Sequence, residues 1–110
     1  MIGFMVNDQL RLRVDKFVVP EAVHQQFVEK MKYLQQTLRR LPGCKSANVL
    51  SKTEGAGEYN VITLVEWENE AAIADAFSVM QQKFAEEKFD PKEFTRALGV
   101  KADLGFYKIV

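Results

Sequence analysis

Tyr59 to Phe77 reads YNVITLVEWENEAAIADAF. A run of β-formers, Val61-Ile62-Thr63-Leu64-Val65, leads to Trp67, the single tryptophan of the chain. Two residues on, Asn69 has the short polar side chain of a helix N-cap, and Ile73, Ala76, Phe77, Met80 and Phe84 then recur at helical spacing. A strand therefore hands over to an amphipathic helix with a large flat ring at the join, a common place for a pocket wall. Along the strand, Val61, Thr63, Val65 and Trp67 share one face; Ile62, Leu64 and Glu66 share the other. Both faces are largely apolar, which predicts a central strand.

Upstream, Leu10 to Val19 alternates Leu10, Leu12 and Val14 with Arg11, Arg13 and Asp15, the pattern of a half-buried strand. The phase slips at Lys16, so that Phe17 and Val19 demand either a bulge or burial of both faces. Pro20 suits a first helical turn. Val23, Phe27, Met31, Leu34, Leu38 and Leu41 follow at spacings of three or four, an amphipathic helix stopped by Pro42-Gly43. Cys44 to Thr53 reads as a second strand, and Glu54 to Glu58 as a glycine-bearing hairpin loop. Downstream, Asp90-Pro91-Lys92-Glu93 opens a short helix ending at Gly99. Lys101 to Val110 reads as the last strand.

The order is β-α-β-β-α-β, which predicts an α+β, ferredoxin-like domain: a four-stranded antiparallel sheet with both long helices on one face. Within residues 1–9, Ile2 to Val6 are expected either to extend the first strand or to form an extra edge segment, and Asn7 and Asp8 are turn-prone. With Val61, Thr63 and Val65 assigned to the uncovered sheet face, that face needs a cover, and a second copy of the chain is the simplest one.

Composition narrows the chemistry. The 110 residues carry 15 basic and 15 acidic side chains, so a basic surface for nucleic acid or an anionic membrane is absent. No apolar run approaches a bilayer span, and the N-terminus lacks a secretion signal, so a cytoplasmic protein is the default expectation. Cys44 and His24 are the sole cysteine and histidine, so no metal site with several such ligands is expected.

The strand ending Phe17-Val18-Val19-Pro20-Glu21, the helix stop Leu41-Pro42-Gly43-Cys44 and the join Val65-Glu66-Trp67-Glu68-Asn69-Glu70-Ala71-Ala72 together resemble the antibiotic biosynthesis monooxygenase (ABM) domain of the dimeric α+β barrel superfamily. The resemblance implies a homodimer with facing sheets and a pocket between sheet and helices in each subunit. It implies oxidation of a small or polycyclic phenol or quinol by dioxygen, with no cofactor. Other members degrade haem, isomerise small rings or have no known activity, so a small-ring isomerase and a non-catalytic ligand-binding module stay open. Asn7 and Trp67 match haem-degrading relatives, but Phe77 stands where those carry a helix histidine, and no haem is expected.

Trp67 is the candidate substrate wall, with Phe17, Tyr59 and Phe77 around it; a core role for Trp67 is equally open. His24, Asn7 and Arg13 are the candidate catalytic polar groups. Against them stand simpler readings: a surface histidine at a helix start, a turn asparagine, and arginines on the solvated face of the first strand.

Overall fold

The computed structural model describes residues 9–110. Strand β1 (Arg11–Val18) is followed by a 3-10 turn (Glu21–Val23) and helix α1 (His24–Arg39). Strands β2 (Cys44–Ser51) and β3 (Val61–Trp67) form a hairpin, then come α2 (Glu70–Glu87), α3 (Pro91–Ala97) and β4 (Lys101–Tyr107). The sheet order is β2-β3-β1-β4, antiparallel throughout. This is the expected ferredoxin-like fold, with β3 and β1 central.

Local chemistry sets the boundaries. Asn69 caps α2, its side-chain oxygen accepting from the Ala72 N–H at 2.9 Å. Asp90 caps α3 by accepting from Lys92 and Glu93, with Pro91 in the first turn. The single long helix expected from Pro20 onward is divided, because a 3-10 turn precedes His24. After α1 the chain reverses at Gly43, whose φ of +84° favours glycine. A Cβ there would lie 2.3 Å from that of Ala72, so only glycine lets the start of α2 approach this turn. The Glu68 N–H ties the same corner by donating to the Gly43 carbonyl.

The strand faces differ from the expectation. Arg11, Arg13, Asp15 and Phe17 lie opposite Trp67, Val65, Thr63 and Val61, so all eight share one face. That face lies beneath the helices: Val61, Thr63, Val65, Trp67 and Phe17 are buried within a single chain. Val61, Thr63 and Val65 therefore do not await a partner, and Phe17 and Val19 belong to the main core. The β1–β3 register runs unbroken from Arg11 to Phe17, so there is no bulge at Lys16: Phe17 continues the inner face of Arg13 and Asp15, while Leu12 and Val14 lie on the other face and are only half-buried. The face left open carries half-buried Leu12, Val14, Ile62 and Leu64, with exposed Leu50 beside them.

Two cores hold the helices down. Phe17, Val19, Phe27, Met31, Val61 and Val100 form one. Ala47, Val65, Trp67, Ala72 and Ala76 form the other, beneath the start of α2. Edge-to-face and stacked rings link Phe17, Phe27, Phe94, Phe89 and Phe84 in a continuous row across β1, α1, α3 and α2. Phe17 and Phe84 of that row, together with Trp67, line the space under the helices.

Candidate functional site

Between sheet and helices lies a cavity of about 300 Å³, at the small end of ligand sites. Its floor is the inner sheet face. Thr63, Asp15 and Leu104 form one cross-strand row, and Val65, Arg13 and Phe106 form the next. Met31, Leu34, Gln35 and Leu38 of α1 make one wall, and Ile73, Ala76, Phe77, Met80 and Phe84 of α2 make the roof. Pro91, Lys92 and Thr95 of α3 line the remaining side.

The space exists because α2 packs tightly only at its N-terminal end. There, small Ala72 and Ala76 join Trp67 in the second core; farther along, Met80 and Phe84 line the cavity. Gln35 braces the opposite wall, donating from Nε2 to the carbonyls of Asn48 and Leu64 at 3.0 and 3.3 Å. Its polar end is thereby consumed by the sheet, and its stem faces the cavity.

Trp67 is 4% exposed; it belongs to the second core and also lines the cavity. Phe17 lies in the floor. Phe77 is in the roof but 62% exposed, so it marks the mouth. Arg13 is in the floor, not on a solvated face. Tyr59 is outside the cavity: the strand begins only at Val61, and the Tyr59 ring stacks instead with Lys16 of the open face, 5.1 Å from its Nζ. His24 also stands outside the cavity walls, at the first residue of α1. Asn7 lies outside the described residues.

Asp15 is the residue that sequence reasoning missed. Arg13 Nε donates to Asp15 Oδ1 at 2.6 Å, and the guanidinium carbon sits 4.8 Å from the centroid of the Phe106 ring. Burial pushes the Asp15 carboxyl above the ordinary aspartate value. The hydrogen bond and charge of Arg13 and the Gly105 backbone N–H oppose that rise, and nearby Asp103 adds to it. A signal was present in the sequence: Arg13 and Asp15 share parity with Phe17, a large apolar side chain suited to the core. Burial pushes the Cys44 thiol above its ordinary value, away from the thiolate form. Among the described residues, no group of three or more His, Cys, Asp or Glu side chains is arranged to hold a metal ion. No helix among them is long and apolar enough to cross a membrane.

Comparison with known proteins gives the same architecture. A candidate monooxygenase from Shewanella loihica PV-4 superposes with a TM-score of 0.71 at 18% identity, over 93% of this chain and 95% of that one. SnoaB, a cofactor-independent oxygenase from Streptomyces nogalater, gives 0.64 at 19% identity, over 92% and 93%. The heme-degrading protein Rv3592 from Mycobacterium tuberculosis gives 0.59 at 15%, over 94% of each chain. At these identities the likeness is one of fold. No curated protein matches the chain by sequence. The sequence profile of the antibiotic biosynthesis monooxygenase family matches residues 12–86, from the start of the floor strand to the end of the roof helix. With more than half of its length so matched, the chain belongs to the antibiotic biosynthesis monooxygenase family.

Proposed function

We propose that the protein is a cofactor-independent monooxygenase whose cavity binds a small or polycyclic phenol or quinol and oxidises it with dioxygen. The observation that carries this reading is the cavity itself: an apolar chamber with Trp67 in its wall and one ion pair in its floor. An electron-rich aromatic ring can stack there out of water. The substrate supplies the electrons. One oxygen atom of O2 enters the ring as a carbonyl, the second leaves as water, and a phenol becomes a quinone. The protein's contribution is orientation and exclusion of water.

The functional unit in this reading is a homodimer joined through the open sheet face, where Leu12, Val14, Ile62, Leu64 and Leu50 make an apolar surface. A stable pair would bury on the order of 1,000 Å² per subunit.

The test is oxygen uptake with a panel of anthrones and quinols, with incorporation of labelled dioxygen into the product. Uptake above the protein-free rate, reduced in Trp67→Phe while the fold is retained, is the expected result. Saturable quenching of Trp67 fluorescence by the same panel without oxygen uptake would assign the cavity to binding alone.

A further inference from the structure

We propose that Arg13 and Asp15 form the polar head of the cavity and select its ligand: an aromatic hydroxyl that gives its proton to Asp15 and is held as the oxyanion by Arg13. This rests on the oxygenase reading and adds to it the proton acceptor and the ionic form of the substrate.

The pair is placed for contact with a ligand. Both side chains stand in the cavity floor on a central strand, 32% and 16% exposed, so a bound ring can reach them. Arg13 uses Nε to bond Asp15. Its terminal nitrogens have no hydrogen-bond partner among the described residues, while the Phe106 ring beside the guanidinium limits its movement. A guanidinium held in this way is a preorganised donor for an anionic oxygen. On the open sheet face, Lys16 and Asp103 make a looser pair at 3.5 Å near the surface, as structural surface pairs do. The inner pair instead interrupts an apolar floor, where hydrophobic residues of similar volume would serve stability as well or better.

The proton balance suits a low-dielectric site. A neutral phenol meets Arg13⁺ and Asp15⁻. The O–H bond breaks, the proton moves to the Asp15 carboxylate, and the phenolate replaces that carboxylate as the counterion of Arg13. Net charge in the cavity does not change, no electron moves, and one ion pair is exchanged for another. The raised affinity of Asp15 for protons acts in the required direction. Other polar groups around the pair are few. Lys92 of α3 lines the cavity, Asp103 acts on Asp15 from β4, α1 presents Gln35 and β3 presents Thr63. The α2 residues of the roof carry no ionisable group.

The experiment uses the full chain and alizarin (1,2-dihydroxyanthraquinone), whose visible absorption reports its ionisation, with unsubstituted anthraquinone as control. In the wild type, bound dye is expected to show the anion's spectrum at least about one pH unit below the transition of free dye, a tenfold preference for the anion. Arg13→Gln should abolish that shift and leave anthraquinone binding within about twofold. Asp15→Asn should bind the dye anion at least as tightly as the wild type, because Arg13 no longer has a competing carboxylate. The same variant should lose about a hundredfold in quinol oxidation below the substrate's own pKa and recover above it, where substrate arrives already ionised. A purely structural pair predicts parallel losses in binding and turnover and no recovery at high pH. Neutral bound dye in the wild type, or a shift that persists in Arg13→Gln, would overturn the proposal. Should either variant fail to fold, wild type alone decides: pH-dependent binding of alizarin but not of its dimethyl ether supports the pair, and equal, pH-independent binding refutes it. Dye ionisation governed by Arg13 without oxygen uptake from any quinol would remove the oxygenase reading and keep the anion site. Oxygen uptake with only neutral bound dye would do the reverse.

Discussion

The two faces of the sheet invert the usual assignment of polarity. Beneath the helices, β1 presents Arg13 and Asp15; toward solvent it presents Leu12 and Val14. In a protein whose only task is stability, charges face water and aliphatic side chains face the helices. Here each face departs from that rule for a different reason. The inner face lines a chamber and sets the Arg13–Asp15 pair in its floor, and the outer face leaves an apolar surface that the proposed dimer would cover. The comparison teaches that alternation gives the period of a strand and not its direction.

The largest effect is expected where the inner face is densest. Trp67→Ala should lower stability by about 3–5 kcal/mol, as loss of a buried aromatic does, because Ala72, Ala76 and Val65 all pack on the ring. A loss under about 1 kcal/mol in chemical denaturation would show that the ring is wall and not core. On the outer face, Leu64→Arg should shift the dimer equilibrium toward monomer by at least a hundredfold, about 3 kcal/mol. Each monomer should keep its fold, because Leu64 faces away from the helices. Light scattering checks this; an unchanged oligomer, or a monomeric wild type at micromolar concentration, would break the contrast between the faces.

A smaller effect follows from Asp15. Its folded carboxyl holds a proton to higher pH than it does in the unfolded chain. Its contribution to stability is therefore fully present below the unfolded value, near 4, and is lost as pH rises through the folded value. Asp15→Asn should remove that decline, so denaturation midpoints of wild type and variant should diverge in slope above pH 4 by less than about 1.4 kcal/mol per pH unit. Parallel profiles would show that burial does not perturb the group. The smallest effect is expected at the rim. Leu50→Ser, at an exposed position on the edge strand β2, should change the stability of the isolated subunit by no more than about 0.5 kcal/mol.

Much of the fold was legible because its signals are local. Asn69 and Asp90 act within one turn of their own helices, and Gly43 reverses the chain where it stands. The site was legible in part. Trp67, Phe17, Phe77 and Arg13 are brought together around the cavity, whereas Tyr59 turns away with Lys16 and His24 begins α1 outside the walls. Asp15 was passed over because a carboxylate flanked by Val14 and Lys16 looks solvated in sequence. Only pairing with Thr63 on one side and Leu104 on the other places it inside.

The sequence by itself determined the order and type of the elements, the caps and the central position of β3. Hydrophobic period, capping and backbone freedom are properties of neighbouring residues, and they act before the chain is assembled. The tertiary structure decided which face of each strand the helices cover. That choice depends on register between residues some fifty positions apart and on the side from which α1 and α2 return to the sheet. A strand with apolar residues on both faces satisfies its local pattern equally well either way. Only packing of the helices on Val61, Val65, Trp67 and Phe17 excludes the alternative, and with that choice Arg13 and Asp15 become the floor of a cavity.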